Sequence, residues 1–277
     1  MTPAVRLNCA CLGPADGTPV VFLHGVSNSL LWWQLLRVAL AAEGYLTIGV
    51  DSLGHGASPR LGTVDRPEKA FELSVAAARE VLAALGRPAY LIGHSMGGAI
   101  ATALGREHPE LINALILADP AWLSPEQERR YRDGASAALE RTRRWQRDPV
   151  AALAENTAAR PHWSNADHLA WLYGQLHVDL DLVATGVVSF PAPWQELVAD
   201  LDVRTHVVTS GADCLVGESG AAEIRHLGRA SLTITVLPGA THSLPIDLPA
   251  QFGAEVRRVL AEDVRKEASI SDKPGRD

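Results

Sequence analysis

"AYLIGHSMGGAI", residues 89 to 100, is the stretch on which the architecture turns: an apolar run breaks into Gly93, His94, Ser95, Met96 and Gly97, then resumes in small apolar residues. The run has the length and composition of a strand buried on both faces, and the alanine-rich continuation has those of a helix. A serine between glycines at such a boundary has a steric explanation. A turn this tight leaves no room for neighbouring side chains, holds the serine in a strained backbone conformation and projects its Oγ from the edge of a sheet. The following helix points unpaired first-turn N–H groups at the same spot, which favours negative charge there.

Outward from this turn the same rhythm recurs. Short apolar runs at 20–23, 46–50, 112–118, 205–210 and 232–237 join the run at 89–93, with helical patterns between them. Near-continuous apolar strands alternating with helices indicate an α/β fold, a mostly parallel sheet flanked by helices on both faces. The clearest helices span 67–85, opening at Pro67 and ending before Gly86, and 249–262, opening at Pro249; proline in a first turn and glycine just past an end mark such boundaries. Between 120 and 200 the strand signal vanishes into Ala, Arg, Glu and Trp, with Ser124 and Pro125 placed to start a long helix. The spacing therefore predicts a core of residues 1–119 and 201–262, a helical insertion over 120–200 after the strand that follows the serine-bearing helix, and a disordered tail over 263–277, where the chain is charged and aperiodic.

Composition narrows the classes of function. The 277 residues are 47% hydrophobic and 21% charged, as in ordinary globular proteins, and the formal net charge is −7. A net negative chain is a poor general binder of nucleic acid or anionic membrane. No stretch reaches the 18 or so consecutive apolar residues of a membrane span, and the first residues lack the apolar core of a secretory signal, so a cytoplasmic location is expected. Cys9, Cys11 and Cys214 read as free thiols, being odd in number and without zinc spacing. The expected partner is a small-molecule substrate, apolar or aromatic, with no metal or other cofactor; a homo-oligomer is compatible with the sequence.

A Gly-x-Ser-x-Gly match alone is a weak signal. A serine hydroxyl becomes a nucleophile only when a histidine takes its proton and a carboxylate orients that histidine. Downstream, "VVTSGADCLVG" places Asp213 in a turn after an apolar run, and "LPGATHSLPIDLP" places His242 in a loop after the next. Both follow strand ends, where open parallel sheets carry their ligands, and the order Ser, Asp, His suits a serine turn of this kind.

With these segments the chain resembles the α/β-hydrolase superfamily, in its cap-bearing serine hydrolase subgroup. The resemblance extends to "FLHGVSNSLLWW" at 22–33, similar to the family's His-Gly segment that ends in Trp, and to "VDSLGHGAS" at 50–58, similar to its Asp-x-x-Gly-His-Gly-x-Ser loop. It implies Ser95 as nucleophile, His242 as general base and then acid, Asp213 as the orienting acid, and an oxyanion hole built from the backbone N–H groups of Val26 and Met96. One departure stands out: many relatives carry Gly three residues before the acid, where this chain has Ser210. Asp119, in "LILADPA", is the rival acid, at a position that some members of the superfamily use.

His24, His55 and His94 sit in these motif segments, but one histidine suffices as base, and turn residues of such loops more often bond backbone than do chemistry. Five of the seven tryptophans, Trp122, Trp145, Trp163, Trp171 and Trp194, fall in the insertion, and Trp122, just past a strand end, is the leading candidate for substrate contact. The arginines at 129, 130, 132, 141, 143, 144 and 147 alternate with acids and read as a solvated helix face. The resemblance implies a carboxylesterase- or lactonase-like enzyme cleaving an ester, lactone or thioester through an acyl-enzyme on Ser95. Two alternatives stay open at this level: hydrolysis of a carbon–carbon bond in aromatic ring-cleavage products by the same triad, and a non-catalytic ligand receptor on a hydrolase fold.

Overall fold

A computed structural model describes residues 5–63, 69–190, 192–211 and 213–271. Among these residues seven strands form one sheet: Cys9–Leu12 (β1), Pro19–Leu23 (β2), Leu46–Val50 (β3), Ala89–His94 (β4), Ile112–Ala118 (β5), Thr205–Thr209 (β6) and Leu232–Val236 (β7). Their order is β1-β3-β2-β4-β5-β6-β7, with β1 antiparallel to β3 and every other neighbour parallel. All six apolar runs are strands. β1 has no counterpart among them, because a short, largely exposed edge strand pairing only on one side needs no apolar run.

Strands β2 to β6 are largely buried on both faces, whereas the edge strand β7 is mostly half-buried. In β2, Val21 and Leu23 belong to one core cluster while Val20 and Phe22 belong to the other, the two-residue alternation of a pleated strand. Helices Ala70–Ala84 (α2) and Met96–Glu107 (α3) supply the first cluster, with Phe71, Val75 and Ile100 among its members. Helices Gln34–Ala42 (α1) and Pro249–Ser271 (α11) supply the second, with Leu40, Phe252 and Val256. The expected opening of α2 at Pro67 lies outside the described residues. The tail expected to be disordered is helical as far as Ser271: Arg, Lys, Glu and Ala are strong helix formers, and neither Gly nor Pro interrupts 254–271. Residues 272–277 lie outside the description.

Between β5 and β6 the described chain forms Pro125–Arg147 (α4), Pro149–Ala159 (α5), Asn165–His177 (α6), Leu180–Thr185 (α7) and Trp194–Ala199 (α8). α4 opens with a capping box: the Ser124 hydroxyl accepts from the Gln127 N–H, and Gln127 Oε1 accepts from the Ser124 N–H. On its outer face Arg130 and Arg132 pair with Glu126 and Glu128 one turn back. Two further α-helices are described, Gly217–Leu227 (α9) and Leu244–Asp247 (α10). Among the described residues no helix is long and apolar enough to cross a membrane.

Strand order and register position the site. β3 lies on one side of β2 and β4 on the other, so the connections diverge at β2 and leave a crevice at the carboxyl ends of these strands. Leu23 is level with Gly93, His94 with Ala118, and Ala118 with Val208. The loops after β2, β4, β5 and β6 therefore leave the sheet at one edge.

Candidate active site

Ser95 sits in the turn between β4 and α3 with φ 52° and ψ −118°, a conformation that a non-glycine residue adopts at a cost of about 1–3 kcal/mol. The surroundings enforce it. Its N–H donates to the Ala118 carbonyl at 3.1 Å, and its own carbonyl accepts from the N–H groups of Ala99 and Ala121. The glycines on either side are required by close approach: a Cβ on Gly97 would lie 2.4 Å from the Leu23 carbonyl oxygen, and one on Gly93 would lie 2.5 Å from that of Gly97. Small residues thus let α3 press its first turn against β2. Met96 opens that helix, where first-turn N–H groups lack intrahelical partners.

His242, in the loop after β7, donates from Nδ1 to Asp119 Oδ2 at 2.5 Å. Asp119 directly follows β5, with φ 38°, and is wholly buried. It also accepts from Thr209 Oγ1 at 2.8 Å, from the Leu215 N–H at 2.8 Å and from the Val216 N–H at 3.0 Å. Burial alone would raise its pKa. The hydrogen bond and charge of His242, with the N–H groups of Leu215 and Val216, outweigh that and hold the carboxyl below the usual range.

The expectation for Asp213 is therefore corrected. Asp213 lies exposed on the turn after β6, and the carboxylate on His242 is that of Asp119. The physical reason is in the loop itself: it turns the N–H groups of Leu215 and Val216 inward as donors to Asp119 and leaves the Asp213 side chain in solvent. Ser210, the one departure from the family pattern, is buried and donates to the Ala240 carbonyl, tying this loop to the one that carries His242. Cys214 beside it is no rival nucleophile, since burial and then the Asp119 charge push its thiol up to about 12.

The three motif histidines bond backbone. His24 Nε2 accepts from the Ser52 N–H at 3.1 Å, and His55 Nε2 accepts from the Ser27 N–H at 3.1 Å. His94 Nε2 donates to the His242 carbonyl at 2.8 Å while its ring stacks on Trp32 at 5.4 Å. Burial, then the neighbouring His242, pushes His94 down to about 3, so the ring is neutral. Asp51 accepts from Leu30 N–H, Ala57 N–H and Asn8 Nδ2, which locks the loop after β3 against the one after β2.

Ser95, His242 and Val26 line one cavity of about 150 Å³, a volume that holds roughly a benzene-sized group. Trp32, Trp163 and Trp171 form its aromatic wall; Arg160, Tyr131 and Gln175 supply polar groups. Trp122 is not among them, which corrects its assignment to substrate contact. Its indole N–H donates to Thr102 Oγ1 at 2.9 Å, its ring stacks on Trp194 at 5.3 Å, and the hollow it borders includes neither Ser95 nor His242. It is core packing beneath the cap. Trp32, from the segment after β2, and Arg160, from the cap, escaped sequence reasoning; the clustering of tryptophans in the insertion was the nearest signal. Among the described residues no group of three or more His, Cys, Asp or Glu side chains is placed to hold a metal ion.

The sequence profile described as serine aminopeptidase, S33, matches residues 15–249. The chain belongs to this α/β-hydrolase family. Solved structures similar to this α/β-hydrolase include the enol-lactonase from Burkholderia xenovorans LB400, with a TM-score of 0.75 at 19% identity over 94% of this chain and 98% of that one. The esterase from Exiguobacterium antarcticum gives 0.73 at 21% identity over 92% and 96%. At such identities the likeness is one of fold. In sequence, the (lyso)-N-acylphosphatidylethanolamine lipase of Mus musculus is 37% identical over 106 residues, which are 38% of this α/β-hydrolase but only 31% of that lipase.

Proposed function

We infer that the protein is a serine hydrolase that cleaves a carboxylic ester, lactone or thioester, with Ser95 as nucleophile, His242 as base and acid, and Asp119 as the orienting carboxylate. The observation that carries this reading is the buried Asp119 bound to His242 Nδ1, with His242 and Ser95 lining one cavity. Asp119 fixes the tautomer that carries its proton on Nδ1, leaving Nε2 to accept from Ser95 Oγ.

In the first half-reaction Ser95 Oγ bonds to the substrate carbonyl carbon and its proton passes to His242 Nε2. The carbonyl oxygen becomes an oxyanion facing the N–H groups of Val26 and Met96, and loss of one such donor typically costs about 10² to 10³ in rate. Collapse breaks the bond to the leaving alkoxide or thiolate, which takes the proton from His242. Water then attacks the acyl-enzyme, gives its proton to His242, and Ser95 leaves with that proton as the acid is released. A fluorophosphonate probe followed by intact mass and peptide mapping tests the assignment. One adduct on Ser95, absent in Ser95→Ala and His242→Ala, is expected; folded wild-type protein left unlabelled would overturn it.

A further inference from the structure

Among the described residues that line the Ser95 cavity, Arg160 alone carries a permanent charge. No Asp or Glu forms an ion pair with it among the described residues, whereas the neighbouring cap arginine Arg144 is paired with Glu155. A half-buried guanidinium without an acidic partner can pair with an anion brought by a ligand.

Arg160 is also held in place rather than left to wander. It caps α5, its N–H donating to the Asn156 carbonyl at 3.0 Å and its carbonyl accepting from the Trp163 N–H at 3.1 Å, so the link to α6 is a tight turn. Its guanidinium carbon lies 5.0 Å over the Trp163 ring, and one Nη donates to Asn156 Oδ1 at 2.8 Å. Asn156 is itself buried, and its Nδ2 donates to His168 Nδ1 at 2.8 Å, which turns Oδ1 toward the arginine. One donor direction is spent on Asn156. The rest of the five-donor fork has no protein acceptor among the described residues. A guanidinium oriented by a buried amide and an aromatic face, on a residue lining a cavity whose described lining has no acidic side chain, is preorganised for a carboxylate, which it binds through two parallel N–H···O bonds.

We propose that Arg160 makes this cavity selective for short acyl substrates that end in a carboxylate, the anion bound by the guanidinium while the ester carbonyl faces Ser95. The proposal rests on the serine hydrolase reading and names its substrate class. The aromatic wall of Trp32, Trp163 and Trp171 then packs the methylenes between the two ends. Arg160 is a specificity residue, acting on the remote end of the substrate.

The test uses mono-p-nitrophenyl esters of succinic, glutaric and adipic acids, each against the same ester with its free carboxylate capped as a methyl ester. Released p-nitrophenolate gives kcat/KM for each pair, and fluorophosphonate labelling of Ser95 is run on the same preparations. The wild type is expected to favour the free acid at least tenfold for one chain length, with the ratio falling several-fold at high salt. In Arg160→Gln the ratio falls to near one, and Arg160→Lys retains part of it. A labelled wild type that shows no preference at any chain length overturns this inference and leaves the hydrolase reading standing. So does a preference that Arg160→Gln leaves unchanged. If Arg160→Gln fails to fold, as seen from loss of labelling, the salt response of the wild type and the Arg160→Lys ratio decide. An unlabelled, inactive wild type overturns both readings.

Discussion

Changing Asp119 to Asn keeps the size of the side chain and the oxygen that accepts from Thr209 Oγ1 and the Val216 N–H, but it puts an amide NH2 where His242 Nδ1–H and the Leu215 N–H now find a carboxylate oxygen. The imidazole then favours the other tautomer and loses the charge that stabilises its protonated form. By the behaviour of such triads the turnover number of Asp119→Asn should fall by about 10⁴, while Asp213→Asn, altering an exposed turn, stays near the wild type. Steady-state kinetics on one aryl ester separates them, and the reverse result would return Asp213 to the site. The contrast also shows where the sequence was legible. Ser95 and His242 stand in local contexts that announce a turn and a loop, so their positions follow from neighbouring residues alone. The pairing of Asp119 with a histidine 123 residues away depends on where the N–H groups of Leu215 and Val216 come to lie, and no local pattern in "ADP" or "GAD" encodes that.

At the scale of elements, the helix α3 depends on a missing side chain. Gly97→Ala would set a Cβ 2.4 Å from the Leu23 carbonyl oxygen, which is backbone of β2 and has no means of moving aside. α3 must then retreat from the sheet and carry Ser95 with it. Gly97→Ala is therefore expected to lower the melting temperature and to cut fluorophosphonate labelling more than any equally destabilising change elsewhere. Trp122→Ala is the fitting control. It removes a buried ring stacked on Trp194, for a loss of roughly 3–5 kcal/mol, yet leaves the Ser95 cavity walls intact. Thermal unfolding should show a large drop while KM for an aryl ester holds; a raised KM would restore Trp122 to the substrate pocket. The strands around these helices were readable because burial on both faces demands unbroken apolar runs. β1 and the last turns of α11 were not, since a half-exposed edge strand and a charged helix impose no such demand on composition.

For the molecule as a whole, the loops at the carboxyl edge of the sheet are braced by buried neutral histidines, and this makes stability depend on pH in a definite direction. Burial, then the neighbouring His24, pushes His55 down to about 3; burial, then His242, does the same to His94. Burial and then Arg258 push His206, under α11, down to about 4. Unfolded, each titrates near its ordinary value of about 6.5. Above that value both states are neutral and the groups contribute no pH dependence. Below it the unfolded chain takes up protons that the folded one refuses, so stability falls as acid is added, by about 1.4 kcal/mol per pH unit for each such histidine until its folded pKa is reached. Urea unfolding from pH 7.5 to 4.5 should therefore show a plateau above about 6.5 and a decline below it, steepest near pH 5, where carboxylates with depressed values such as Asp119 have yet to add their own acid-side loss. His55→Gln, which retains an amide able to accept from the Ser27 N–H, should remove about one proton from that slope. A stability flat from pH 7.5 to 5 would mean that these rings are protonated in the folded protein and that the loop architecture is held some other way.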